Sequence, residues 1–261
     1  MSPVLDICNL RFSYNDKQRP VLENLSCQIR RGETVFILGP NGTGKTTLLK
    51  LLLKLLRPES GDITLAGKPL QSYSEKSLSR AMAYVPQATE IIFPLAAYDL
   101  VLTGRFNRQA IGRRPDAAAH RAVRETMARL GIEHLAYRNY NEMSGGERQM
   151  VLIARALTQD ADILIMDEPT SGLDYRNQVQ ILKTVADLQT SGYTILMTTH
   201  DPVHCLSVPS QVLMLKDERL LAYGPAREII SSEVLTNLYH TDILVKPLSG
   251  RPDVKGCRAV F

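Results

Sequence analysis

The sequence predicts an α/β fold: a mostly parallel sheet with helices on both faces, an antiparallel β edge region, and an inserted α-helical lobe. Three observations carry this expectation. Short apolar runs at Thr34–Leu38, Met82–Val85, Ile163–Met166, 194–197 and 212–215 alternate with helical patterns, the order that buries parallel strands beneath helices. That rhythm stops between Thr89 and Gln159, where 116–130 and 145–157 show helical spacing and no strand pattern intervenes. A glycine-rich string at 39–47 stands between the first apolar run and a helix.

Taken in order, residues 4–30 alternate loosely in β-rich runs, Val4-Leu5-Asp6-Ile7 and Leu25-Ser26-Cys27-Gln28-Ile29, separated by the polar turn Asn15-Asp16-Lys17-Gln18. This is the antiparallel edge. The run at 34–38 is bounded by glycines and fits a buried strand. A helix is expected from Lys45 to about Leu56, ending before Pro58, with Gly61 opening the next turn. The stretch after Lys246 carries Pro247, Gly250, Pro252 and Gly256 and should lie loosely on the surface. These divisions give an α/β core over 1–88 and 160–245, a helical lobe over 89–159, and a tail over 246–261.

With 44% hydrophobic and 22% charged residues, the 261-residue chain has the make-up of a soluble globular protein. Its 31 basic and 27 acidic residues leave a net charge of +4. The densest basic cluster, Arg113-Arg114 with Arg121 and Arg124, is broken by alanines and acids, so it reads as a solvated helix face and not a nucleic-acid surface. Cys8, Cys27, Cys205 and Cys257 lie far apart, without metal-ligand spacing, and read as reduced thiols. The start Met1-Ser2-Pro3-Val4-Leu5-Asp6 shows no basic stretch followed by an apolar one. The most apolar segment, 48–56, carries Lys50 and Lys54 and is half as long as a membrane span. A soluble, cytosolic chain is expected.

Gly39-Pro40-Asn41-Gly42-Thr43-Gly44-Lys45-Thr46-Thr47 is a complete G-x-x-x-x-G-K-S/T phosphate loop, placed after a strand and opening a helix. Glycines let backbone N–H groups wrap a phosphate chain, and the helix N-terminus adds partial positive charge. In this P-loop nucleoside triphosphatase core, Lys45 would reach the β- and γ-phosphates and Thr46 would ligate Mg²⁺. Ile163-Leu164-Ile165-Met166-Asp167-Glu168 is a strand ending in two acids. Asp167 can hold the Mg²⁺ hydration shell, and Glu168 can orient and polarise the attacking water. Phosphoryl transfer needs placement and charge neutralisation, so two acids with different tasks suffice.

Met143-Ser144-Gly145-Gly146-Glu147-Arg148-Gln149 resembles the signature motif of the ABC ATPases, usually written L-S-G-G-Q, with Met143 for leucine and Glu147 for the last glutamine. Ser144, Gly145 and Gly146 open a helix whose N–H groups and dipole face an anion. The resemblance spans roughly 4–245 and its landmarks keep the family order. It implies that Tyr14 stacks on adenine and that Gln87 contacts Mg²⁺ and senses the helical lobe. Ser171-Gly172-Leu173-Asp174 would form the loop that crosses between subunits, with Asp174 at the nucleotide. His200 would be the switch histidine near the γ-phosphate. It implies also an obligatory homodimer, each ATP held by the phosphate loop of one subunit and the signature of the other.

Lys45 and Ser144 are only about a hundred positions apart, without sustained heptads, which sets aside DNA-repair and chromosome ATPases with their inserted coiled coils. A single set of motifs sets aside the translation factors. An importer subunit remains the leading expectation, against an exporter or a cytosolic ATPase of an assembly scaffold. The run Asp99-Leu100-Val101-Leu102-Thr103-Gly104-Arg105 resembles the importer family for iron-siderophore, haem and cobalamin, with molybdate members close by. Implied partners are a permease dimer and, indirectly, an extracytoplasmic solute-binding protein. The chain would sit peripherally on the cytoplasmic face of the inner membrane, with coupling helices docked near Gln87 and 93–105.

Overall fold

The computed structural model describes residues 3–15, 19–87, 93–108, 114–248 and 251–260. Met1, Ser2, Asp16, Lys17, Gln18, Thr89, Arg113 and Gly250, named above, lie outside the described residues. The chain forms two compact units, one of Met1–Ser72 with Gln189–Phe261 and one of Tyr73–Leu188.

The first unit opens with strands β1 (Leu5–Phe12), β2 (Leu22–Ile29) and β3 (Thr34–Leu38), helix α1 (Lys45–Leu52), and strands β4 (Ser60–Leu65) and β5 (Lys68–Pro69). An antiparallel sheet in the order β2-β1-β4-β5 is the expected edge region. Leu5, Ile7, Leu10 and Phe12 turn inward along β1, and the register shifts between Ile7 and Leu10. Cys8 and Asn9 are both exposed there, with Asn9 at φ +49°, which marks an inserted residue in the ladder. Helix α1 ends at Leu52, short of the expected Leu56. Lys54 takes the left-handed position at φ +58°, and the N–H groups of Leu55 and Leu56 both donate to the Lys50 carbonyl. Glycine usually fills that position, so the stop carries no glycine to signal it.

The second unit comprises α2 (Glu75–Ala81), β6 (Met82–Val85), α3 (Ala97–Leu102), α4 (Ala117–Arg129), α5 (Gly145–Thr158), β7 (Ile163–Met166) and most of α6 (Tyr175–Thr190). Strands β6 and β7 pair in parallel. Among the described residues between them there are helices, helical turns and a single Ala96–Asn139 bridge, with no strand. Ala119, Val123 and Met127 recur at helical spacing as the buried stripe of α4, which packs with α3 against α5.

The chain returns to the first unit as β8 (Thr194–Thr199), α7 (Pro202–Ser207), β9 (Gln211–Lys216), β10 (Arg219–Pro225), α8 (Ala226–Ile229), α9 (Ser232–Tyr239), β11 (Ile243–Leu248) and β12 (Arg251–Ala259). Strand β3 lies between β8 and β9, parallel to both, and all five of its residues are buried. An uninterrupted apolar run is what such a position selects. The α/β class with mostly parallel pairing is therefore the class that forms.

The expected loose tail does not form. Strands β11 and β12 make an antiparallel hairpin against α9 and α7. The Ser232 hydroxyl accepts the Val245 N–H at 2.8 Å and the Thr236 hydroxyl accepts the Ile243 N–H at 3.0 Å. Pro247 and Pro252 suggested irregular chain, but a two-stranded ladder has outer edges where a missing N–H costs nothing.

Candidate nucleotide site

The phosphate loop sits in the first unit, at the end of the strand flanked on both sides. Gly44 is the N-cap of α1 at φ +91°, and a Cβ there would meet the Val21 carbonyl oxygen at 2.8 Å and Leu22 Cδ2 at 2.9 Å. Only glycine combines that left-handed backbone with so close a neighbour. Gly42 also has positive φ, at +84°. Helix α1 has no side-chain cap bond and no acid in its first turn. The helix thus brings neither a capping side chain nor an acid of its own to its first N–H groups.

Lys45 is 5% exposed, and its ammonium donates to the Gly39 carbonyl at 2.8 Å and the Pro40 carbonyl at 3.1 Å. A buried cation is thus held inside the loop, as an anion cradle requires. The Thr43 hydroxyl donates to the Pro40 carbonyl at 2.9 Å. Asn41, Gly42 and Thr46 lie at the exposed mouth. Tyr14 comes to the same loop: its hydroxyl is 3.1 Å from Thr47 Oγ1, and its ring meets Phe12 edge-on at 5.0 Å. The ring remains 53% exposed, so a flat face is available to stack.

His200 follows β8 directly and is exposed. Its carbonyl accepts the Tyr239 hydroxyl at 2.7 Å. Behind it, Thr199 Oγ1 lies 3.0 Å from His204 Nδ1, and burial lowers the His204 pKa against the opposing pull of Asp201.

The second unit holds the other half of the predicted residues. Asp167 follows β7, is 9% exposed, and its N–H donates to the Val85 carbonyl at 3.0 Å, which sets it beside the end of β6 and the exposed Gln87 two residues on. Burial and the Asp167 charge push the Tyr84 hydroxyl, 3.5 Å from Asp167 Oδ2, up to about 12. Glu168 is half-buried at φ +42°, a left-handed conformation that a non-glycine residue adopts at a cost of about 1–3 kcal/mol.

Ser144 is the N-cap of α5 and makes a full capping box: its hydroxyl accepts the Glu147 N–H at 3.3 Å, and Glu147 Oε2 accepts the Ser144 N–H at 2.8 Å. Met143 is buried at 4%, so the apolar role of the family leucine is kept. Beta carbons on Gly145 or Gly146 would meet Leu173 Cδ2 at 2.9 Å or Asn177 Cγ at 2.4 Å. The Ser171–Asp174 loop is thereby packed against the signature. Asp174 caps α6 by accepting the Asn177 N–H at 2.8 Å and its side-chain amide at 3.0 Å.

Three residues escaped the sequence reading. Asn177 had a usable signal, three positions beyond an N-capping Asp174. Arg138, whose guanidinium donates to Glu147 Oε1 at 2.8 Å, and Tyr239, on the carbonyl of His200, had none. The expected docking stretch needs a correction. Leu102 is 8% exposed, and Arg105 donates to the Thr158 carbonyl at 3.0 Å, so both belong to the packing of the helical region. Gly104 lies so close to α5 that a Cβ would meet the Arg155 carbonyl oxygen at 2.2 Å. The large hydrophobic side chains exposed there are Phe93, at 71%, and, just past the stretch, Phe106, at 58%.

Thr46, Gln87 and Asp167 offer a hydroxyl, an amide oxygen and one carboxylate, all hard oxygen donors. Among the described residues no group of three or more His, Cys, Asp and Glu could hold a metal. Each of these donors is of the type Mg²⁺ takes, an ion that accepts one or two carboxylates and completes its shell from phosphate and water. Among the described residues no helix is long and apolar enough to cross a membrane.

Residues 22–171 match the family model described as ABC transporter. The hemin import ATP-binding protein of Thermobifida fusca is 34% identical over 95% of this chain and 87% of its own. The manganese transport ATP-binding protein of Bacillus subtilis is 35% identical over 92% and 93%. The ferric enterobactin transport ATP-binding protein of Escherichia coli is 32% identical over 89% and 87%. A solved structure described as an inward-facing, metal-chelate type ABC transporter superposes with a TM-score of 0.88 at 30% identity, covering 100% of this chain and 98% of that one.

Proposed function

The chain belongs to the ABC transporter family as an ATP-binding subunit that hydrolyses ATP, and from that premise we propose that two copies close on two ATP molecules to drive uptake of a metal or metal chelate through a separate permease. A ferric siderophore is the first choice of cargo, with haem, cobalamin, molybdate or manganese as the competing ones. The relatives that carry hemin, enterobactin and manganese in their names support this range. The observation that carries the shared-site mechanism is the presence of two glycine-built helix N-termini, at Gly44 and Ser144, in one chain.

In this reading the N–H groups of 39–47 wrap the β- and γ-phosphates, and Lys45 leaves the Gly39 and Pro40 carbonyls for them. Tyr14 stacks on the adenine. Ser144, Gly145 and Gly146 of the other subunit close on the γ-phosphate, with Asp174 beside them. Thr46, Gln87 and Asp167 are the proposed holders of Mg²⁺, which neutralises phosphate charge when bound. Glu168 takes the proton side of the attacking water, and His200 steadies the γ-phosphate. The helical region of 89–159 and the α/β core of 1–88 and 160–245 then act as the moving parts. The subunit sits peripherally at the cytoplasmic face of the membrane, with a permease coupling helix on Phe93 and Phe106.

A paired test follows. Glu168→Gln should keep ATP binding and lose hydrolysis by about a hundred-fold or more, accumulating as an ATP-held dimer on size-exclusion chromatography. Ser144→Arg should abolish hydrolysis while saturating ATP still raises the melting point, since ligand at ~100 times its dissociation constant adds ~2.7 kcal/mol. Wild-type turnover in Ser144→Arg would overturn the shared site. Phe106→Ala should lower uptake in proteoliposomes while the isolated subunit keeps its ATPase; unchanged uptake removes the docking surface.

A further inference from the structure

The signature departs from its family pattern by carrying an acid, Glu147, where a neutral glutamine is usual, and that acid stands in the first turn of the helix proposed to receive a phosphate. Its carboxylate accepts the Ser144 N–H at 2.8 Å, so the acid is drawn up to the N-terminal end of α5. A bare carboxylate there would repel the γ-phosphate and cancel much of the helix dipole. Arg138 meets it. One guanidinium nitrogen donates to Glu147 Oε1 at 2.8 Å and the other to the Glu142 carbonyl at 3.2 Å, which fixes the fork between the turn before the signature and the signature itself. The neighbouring cation does not substitute for it. The Arg148 guanidinium lies over the Tyr140 ring at 5.9 Å and donates to the Asn141 carbonyl.

We propose that Arg138 is a positioning residue for ATP hydrolysis: it neutralises Glu147 and holds it as a cap, leaving the N-terminus of α5 receptive to a nucleotide phosphate. This deepens the shared-site reading above and rests on it. A glutamine in place of Glu147 would keep the acceptor for the Ser144 N–H without needing a counter-charge, so arginine at 138 and acid at 147 form one electrostatic unit. The alternative is that Arg138 serves only to brace the 138–142 turn through the Glu142 carbonyl.

The two roles separate in a double-mutant cycle. ATPase kinetics would be measured on full-length wild type, Arg138→Ala, Arg138→Gln, Glu147→Gln and Arg138→Ala/Glu147→Gln, alongside melting points with and without ATP. Arg138→Ala should lose about ten-fold in kcat/KM while its ATP-induced rise in melting point stays at the wild-type value, because the phosphate loop is intact. Arg138→Gln keeps a donor for the Glu142 carbonyl but no charge, and it should fail as Arg138→Ala does. The double variant should recover the activity of Glu147→Gln alone. If Arg138→Gln retains wild-type turnover, or if Glu147→Gln gives no rescue, the electrostatic role is wrong and the brace remains. Ser144→Arg in the same series separates the levels: if it hydrolyses ATP normally the shared site itself fails, whereas an inactive Ser144→Arg beside an active Arg138→Ala removes only this proposal.

Discussion

Helix α1 enters from Gly44 at φ +91°, with neither a side-chain cap nor an acid in its first turn, whereas helix α5 enters from Ser144 with a complete capping box and Glu147 in that turn. Both are glycine-bearing helix starts suited to anions. The first brings no cap or acid of its own and keeps its cation, Lys45, bonded to the loop carbonyls. The second satisfies itself, through Ser144 and Glu147, and needs Arg138 to offset the charge this introduces. A start with no cap of its own has N–H groups that water or a ligand can take, whereas a self-capped one meets part of that need from its own side chains. The contrast gives each glycine a different burden.

The largest effect should come from Gly44→Ala. A left-handed alanine costs about 1–2 kcal/mol, and its Cβ meets the backbone of Val21, which cannot turn aside. The ATP-induced rise in melting point should vanish, and ATPase activity should fall with it. Gly146→Ala should be milder, because its Cβ meets the Asn177 side chain: thermal stability without ATP drops by a few degrees, ATP still binds, and turnover falls. Gly145→Ala touches only Leu173 Cδ2 and should be mildest. If Gly145→Ala proves as damaging to ATP binding as Gly44→Ala, the two starts are not different in kind.

Next in size is Ser144→Ala, which removes the cap and should cost ~1 kcal/mol, seen as a lower melting point in the absence of nucleotide. No comparable loss is expected from a hydroxyl deletion at Tyr14, whose ring keeps its contact with Phe12. Equal losses in both would show that the α5 box contributes nothing special.

The smallest effect concerns pH. The Ser144 N–H, opposed by partial burial and reinforced by Arg138, lowers the Glu147 pKa from its ordinary carboxylate value. A depressed carboxylate stabilises the fold above its unfolded pKa, and that stability is lost as pH falls through the folded value. The melting-point gap between wild type and Glu147→Gln should therefore be steady near neutrality and close at acid pH. Exposed pairs of this kind are worth no more than ~1 kcal/mol. A gap that widens on acidification would reverse the assignment.

The same contrast runs through what could be read beforehand. Strands β3, β6 and β7 were legible to the residue, because a strand largely buried on both faces is a short, nearly unbroken apolar run. Helix α5 was legible from its start, because Ser and Gly at a helix entry are local chemistry. Less visible were the end of α1, where Lys54 stands in a glycine's conformation, and the β11–β12 hairpin, whose prolines suggested irregular chain.

By itself the sequence determined the α/β class and supplied the candidate site motifs, the glycine loop of 39–47, the acids at 167 and 168 and the Ser-Gly-Gly of 144–146, because each depends on residues adjacent in the chain. Tertiary structure decided that Leu102 is buried and Arg105 spent on the Thr158 carbonyl, that Tyr239 holds the carbonyl of His200, and that Arg138 answers Glu147. Those outcomes turn on which side chains meet across a fold. A charge or a hydroxyl in a string of residues does not state its partner; only packing brings the two within a hydrogen bond.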